Sequence, residues 1–331
     1  MLEHGGRLRA AALQYGIAED QWLDLSAALN PDIYPVGEIP ASVWQRLPED
    51  DDALVQAASF YYGAKNLLPV AGSQSAIQAL PLLLRDALPG QRIGLLQPTY
   101  SEHAHAWRKA GFVIVELQPD KIDDEIASLD ALLIVNPNNP TGAVFSVDSL
   151  LGWHRVLAKK NACLIVDEAF IDATPQHTVA QYANQTGLIV LRSLGKFFGL
   201  AGARVGFVMA ESSLLNNLHE QLGPWAISHP SRWVAIRALR DSVWQANQRQ
   251  VVAEKSARLA QLLTQYGLAP TGGCELFQWV STARAAQLHH ALAQQGILVR
   301  LFAEPASLRL GLPASERDWL RLTAALDAVT A

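Results

Sequence analysis

The chain has 331 residues, 50% of them apolar and 17% charged, and 26 basic against 31 acidic side chains leave a net charge of −5. That length suits about two domains with a sizeable core, and the composition excludes a disordered chain. With no basic run there is no electrostatic footprint for nucleic acid, and no apolar stretch approaches the roughly 18 residues that cross a bilayer.

The first 40 residues hold Pro31, Pro35, Gly37 and Pro40 and read as an arm, residues 1–40, leading into a larger domain. In AGSQSAIQALP (71–81) a loop opens a helix, and Pro81 predicts a kink or an early stop there. From about residue 90 to 210, RIGLLQP (92–98), FVIVEL (112–117), ALLIVNP (131–137), ACLIVDEA (162–169), LIVLRSL (188–194) and RVGFVMA (204–210) predict buried strands. Near-continuous apolar runs are what a sheet covered on both faces requires. Tyr100–Ala110 and Ser146–Lys160 are long enough for crossover helices, so the sheet is expected to be mostly parallel. Between Leu194 and Arg204 lies only a glycine-rich loop, which predicts that the last strand runs antiparallel. Residues 230–266, opened by Pro230 and closed by Gly267, predict one long helix. LFQWV (276–280), ILVR (297–300) and SLRLG (307–311), around a helix at 283–295, form an α+β tail. The expected organisation is the arm, a large α/β domain over 41–220 and a smaller α+β domain over 221–331. No internal repeat interrupts it.

The opening residues, with Glu3, Arg7 and Arg9 and no apolar core, predict no secretory leader. Cys163 and Cys274, far apart in the chain, suit a reducing compartment, so a cytoplasmic protein is expected. The chain lacks GxGxxG after a strand, GxxxxGK[ST] and GxSxG. His103 with His105 and His289 with His290 do not have metal-ligand spacing, so no metal site is expected.

What remains are three pieces at the C-terminal ends of predicted strands, where open α/β sheets bind their ligands. They are NPNNPTG (Asn136–Gly142), DEAF (Asp167–Phe170) and SLGKFFGLAGARVGF (Ser193–Phe207). Singly each has an ordinary reading as a turn, a helix cap or a solvated lysine. Together, in this order, they resemble the fold-type I pyridoxal-phosphate enzymes of the aspartate aminotransferase superfamily, over roughly residues 70–310.

That resemblance implies pyridoxal 5'-phosphate as cofactor and a role for each residue. Lys196 matches the lysine that bonds the cofactor aldehyde. Asp167 matches the carboxylate that keeps the pyridine nitrogen protonated, and Asn139 the donor to the ring phenolate oxygen. Ser193 and Arg204 match phosphate ligands, the guanidinium fork suiting a dianion. Gly72, Ser73 and Gln74 would add backbone N–H groups at a helix start. Tyr100 matches the aromatic residue that stacks on the ring, and Arg309 the arginine that grips the substrate α-carboxylate. Many aminotransferases of this superfamily carry Tyr where this chain has Phe170, which cannot donate to the phenolate.

Within the superfamily the chain resembles the histidinol-phosphate aminotransferase branch, and inside it the L-threonine-O-3-phosphate decarboxylases of cobalamin biosynthesis. The residues carrying this are His4–Gly5–Gly6–Arg7, LDLSAALNP (23–31), DEAFID (167–172) and GPWAIS (223–228). The implied reaction is loss of the carboxylate of L-threonine O-3-phosphate as CO2, giving (R)-1-amino-2-propanol O-2-phosphate. His4, the Gly5–Gly6 backbone and Asn30 are the candidates for the substrate phosphate. The family builds its site at a dimer interface, which implies a homodimer. The rival readings are an aminotransferase acting on histidinol phosphate or a related amine, and a non-catalytic protein that has kept the fold. Intact Lys196, Asp167 and Arg204 oppose the last.

Overall fold

The computed structural model describes residues 5–50 and 52–330, in two compact units. One unit comprises Tyr34–Asn139 and Val144–Gln245. The other comprises the residues up to Ile33, Pro140–Ala143 and those from Ala246 onward. No helix among the described residues is long and apolar enough to cross a membrane.

The first unit is built on seven strands: β1 (Leu67–Val70), β2 (Arg92–Leu96), β3 (Val113–Leu117), β4 (Ala131–Val135), β5 (Cys163–Asp167), β6 (Leu188–Ser193) and β7 (Gly206–Met209). Their order across the sheet is β1-β7-β6-β5-β4-β2-β3. Every residue of β4, β5 and β6 is buried, as the uninterrupted apolar runs require. The pairs from β6 through β3 are parallel, and β7 runs antiparallel to both β6 and β1. The reversed final strand is therefore observed, and the glycine-rich loop before it is its cause.

Strand β1 escaped the sequence reading because Pro69 interrupts it. Proline is tolerated there because β1 pairs only with β7, at the sheet edge. Helix α1 (Ser73–Leu84) runs on through Pro81, so of the expected kink or early stop the stop does not occur. Its face carries Ile77, Leu80 and Leu84 into the core with Ile93, Leu95, Leu133 and Trp107. Burial of roughly 1.5–3 kcal/mol per large apolar side chain outweighs the roughly 3 kcal/mol that an internal proline costs. Helices α2 (Ser101–Lys109) and α3 (Val147–Ala158) are the two expected crossovers.

The single helix expected over 230–266 is two: α4 (His229–Arg240) and α5 (Ser242–Gln265). Asp241 breaks them, with φ −87° and ψ 76°, and its Oδ1 accepts the Trp244 N–H at 3.0 Å. It is an N-cap hidden inside a continuous helical pattern.

In the other unit, β8 (Gly272–Cys274), β9 (Phe277–Ser281), β10 (Arg300–Phe302) and β11 (Ser307–Gly311) form an antiparallel sheet of order β10-β11-β9-β8. The expected strand at 297–300 is divided: Ile297–Leu298 pairs in parallel with Leu23–Asp24, and β10 begins at Arg300. The N-terminal segment thus shares a unit with the C-terminal residues. Its helix Leu8–Tyr15 meets the helix Ala285–Gln294 through Tyr15 Oη and His290 Nδ1, 3.1 Å apart.

Candidate active site

The parallel strands β4, β5 and β6 end in register, Val135 beside Asp167 and Asp167 beside Leu191. Backbone bonds continue past these ends, from Asn136 N to Asp167 O (2.8 Å) and Glu168 N to Leu191 O (2.9 Å). The segments NPNN, DEAF and SLGK are therefore brought side by side. After β4, Asn136 Oδ1 accepts the Phe145 N–H at 2.8 Å, while Asn138 Oδ1 accepts from Thr99 Oγ1 and its Nδ2 donates to Pro98 O. These two side chains fix the loop that presents Asn139.

A cup forms where β6, β7 and β1 meet helix α1. Ser193 is paired with Gly206, and Gly206 with Val70. A Cβ on Gly206 would lie 2.5 Å from Ser73 N and 2.7 Å from the Gly72 carbonyl carbon, so glycine alone lets the start of α1 settle over the strand ends. Gly72, at φ 71°, turns the chain into the helix. Arg204, itself left-handed at φ 53°, brings its guanidinium against Gly72, with Nη2 2.7 Å from where a Cβ would stand. Helix N–H groups and a guanidinium side by side, with a serine on the adjoining strand end, are donors of the kind that hold an anion.

From the cup a chain of contacts reaches Asp167. Tyr100 Oη donates to Gln74 Oε1 at 3.2 Å, and the Tyr100 ring meets His103 edge-on with centroids 5.9 Å apart. His103 Nε2 is 2.8 Å from Asp167 Oδ2, both side chains buried, and the Ala169 N–H donates to Asp167 Oδ1 at 3.0 Å. An ionised carboxylate only accepts, so the Nε2–H tautomer of His103 donates. His103, weighed in the sequence only as a metal ligand, is the partner of Asp167. Its one signal is position i+3 from Tyr100, which puts both on one helical face. On the other side, Lys196 Nζ lies 5.3 Å from the centroid of the buried Phe170 ring. The position that separates this chain from many aminotransferases thus lies against the lysine.

Behind the strand ends sits a fully buried ionic cluster that no spacing rule reveals. Arg192 pairs with Glu168 at 2.8 Å and with Asp172, and it lies 4.4 Å from the Tyr62 ring centroid. Thr178 Oγ1 and the Val179 N–H also donate to Glu168. Burial opposes the Arg192 charge, but the two carboxylates outweigh it and raise its pKa further. Two of its members adjoin candidate site residues: Glu168 follows Asp167, and Arg192 precedes Ser193.

The other unit holds the remaining candidates. Arg309 is buried on β11, where its Nη2 donates to Ser26 O at 2.7 Å. Gly6 donates its N–H to Ser26 Oγ at 2.7 Å, so that N–H is already engaged. Arg300 and Arg309 are register partners on β10 and β11. Asn30 Oδ1 accepts from Gln248 Nε2 at 3.1 Å and from the Asp32 N–H at 3.0 Å, which ties it to α5. His4 lies outside the described residues.

Comparison with known proteins shows the family. Residues 47–330 match the family "aminotransferase class I and II". The chain is 54% identical to a threonine-phosphate decarboxylase of Pseudomonas aeruginosa, over 98% of this chain and 97% of that protein. It is 39% identical to a threonine-phosphate decarboxylase of Sinorhizobium sp, with the same coverage of 98% and 97%. Among solved structures, the histidinol-phosphate aminotransferase of Sinorhizobium meliloti in complex with pyridoxal-5'-phosphate superposes with a TM-score of 0.81. That match is at 19% identity and covers 99% of this chain and 95% of that one, so it speaks for the fold.

Proposed function

The chain belongs to the aminotransferase class I and II family, with its fold-type I architecture, and from that membership we propose its reaction. It is a pyridoxal-phosphate-dependent lyase that converts L-threonine O-3-phosphate to (R)-1-amino-2-propanol O-2-phosphate and CO2, a step of cobalamin biosynthesis. The near-full-length identity to threonine-phosphate decarboxylases carries this reading.

The residues present fit the cofactor. The cup at the start of α1, closed by an arginine against a glycine, matches a phosphate, and a buried carboxylate supported by a histidine matches a protonated ring nitrogen. The Gly72, Ser73 and Gln74 backbone, the Ser193 hydroxyl and Arg204 would hold the phosphate. Asp167 would hold the ring nitrogen, Asn139 the phenolate oxygen, Tyr100 the ring face and Lys196 the aldehyde carbon. When bound, pyridoxal phosphate supplies an electron sink for the Cα bond that breaks.

The protein's own share of the work is orientation and proton handling. Arg309 grips the α-carboxylate through a guanidinium whose plane is fixed by its bond to Ser26 O. In this reading it orients the carboxylate that leaves. Lys196 Nζ then delivers a proton to Cα. His4, the Gly5–Gly6 turn and Asn30 receive the substrate phosphate, to which we add Arg300, placed opposite Arg309.

We further infer a cytoplasmic homodimer. Trp44, Leu47 and Phe60, large apolar side chains at 66%, 65% and 87% exposure on segment 41–62, suit a surface covered by a second copy. Turnover in D2O tests the reaction: the expected product has lost the carboxylate and carries one deuterium on its amino-bearing carbon. A product that keeps the carboxylate and carries a keto group would overturn it.

A further inference from the structure

Ser26 lies two residues past the short strand Leu23–Asp24 and is 2% exposed. Each of its polar groups is committed. Its N–H donates to Asp24 Oδ1 at 2.8 Å, and its hydroxyl donates to the same oxygen at 2.6 Å. Its Oγ accepts the Gly6 N–H at 2.7 Å, and its carbonyl accepts from Arg309 Nη2 at 2.7 Å. The hydroxyl proton has one possible direction, because an ionised carboxylate cannot donate. Gly5 presses on the same residue: a Cβ there would overlap Ser26 O.

The backbone that carries Ser26 is itself held from two sides. The Leu25 N–H donates to Leu298 O at 2.8 Å, and the Leu25 carbonyl accepts the Gly311 N–H at 2.7 Å. Gly311 ends β11, two residues after Arg309. Ser26 therefore joins the Gly5–Gly6 turn, by its side chain, to the Arg309 guanidinium, by its main chain.

We infer that Ser26 is a positioning residue that sets the spacing between the Gly5–Gly6 turn and Arg309, and so selects amino acids bearing a second anion at one distance from the carboxylate. The inference rests on the reading above, in which Arg309 takes the carboxylate and the turn lies at the phosphate. A preset spacing spares the ordering cost of two independent anion contacts, and a substrate with only a carboxylate cannot exploit it.

The Ser26→Ala variant separates the two halves, since it removes the hydroxyl bonds and keeps the carbonyl that Arg309 uses. With the cofactor-loaded protein, the KM for L-threonine O-3-phosphate should rise about tenfold, near 1.4 kcal/mol, with kcat within about twofold. By calorimetry, inorganic phosphate should bind about tenfold more weakly, while unphosphorylated L-threonine, which reports on Arg309, should change less than about twofold. Asp24→Ala should behave like Ser26→Ala, and Asp24→Asn, which keeps an acceptor oxygen, should recover to within about threefold of wild type. Equal weakening of phosphate and L-threonine, or no weakening of either, would overturn the inference. If the wild-type protein releases no CO2, the reaction is wrong, yet the split between the two probes still decides the role of Ser26.

Discussion

Asp167 ends β5 and has both oxygens occupied by donors, one from His103 and one from the Ala169 N–H. A carboxylate bonded through both oxygens is held in one orientation. His103→Ala leaves that carboxylate buried with one donor fewer, at about 1.5–3 kcal/mol. Cofactor affinity, measured by dialysis against apo-protein, should therefore fall roughly 10- to 100-fold, whereas an unchanged affinity would remove His103 from the site. Lys196→Ala should abolish turnover and the visible absorbance of the protein-bound cofactor. Phe170 against Lys196 makes the complementary case: Phe170→Tyr supplies a hydroxyl and should shift the pH at which that absorbance changes, with the fold intact.

At the scale of elements, the site depends on close backbone approach between strands and helix. Gly206→Ala places a Cβ against Ser73 N and Arg192 O, so α1 must move off Ser193. Overpacking of this kind costs about 1–3 kcal/mol and should lower both Tm and cofactor affinity; loss of Tm alone would separate the cup from the packing. The loop before helix Leu54–Tyr62 is pinned to α4 by Arg232, which bonds Asp52 through Nε at 2.6 Å and Nη2 at 2.7 Å. Burial acts to raise the Asp52 carboxyl, but the Arg232 bonds and charge and the Leu54 N–H outweigh it and hold its pKa below the ordinary value. A depressed carboxyl contributes stability above its unfolded pKa and loses it as pH falls through the folded one. Asp52→Asn should thus lower stability at pH 7 by about 1–2 kcal/mol, with the Tm gap closing below about pH 4. A gap independent of pH would refute the pairing. Much of this layer is legible in the chain: the apolar runs ending at Val135, Asp167 and Ser193 disclose the strands and the segments that follow them. The rest is not, for physical reasons. Pro69 masks an edge strand, Asp241 looks like one more helical residue, and Glu168 meets Arg192 across 24 residues with no pattern to announce it.

For the whole molecule, Lys196 and Asp167 belong to one compact unit and Arg309 to the other. Exposed Trp44 and Phe60 are expected to lie under a second copy, and sedimentation should return twice the chain mass; a monomer at micromolar concentration would contradict that arrangement. The choice between decarboxylation and transamination is the central claim, because the cup, Asp167 and Lys196 serve either reaction. The decisive measurement is CO2 release from L-threonine O-3-phosphate by the cofactor-loaded protein with no keto acid present. The expected result is many molecules of CO2 per active site, with the cofactor spectrum returning to its starting form. Conversion of the cofactor to its amine form in a single turnover without CO2 would contradict the account.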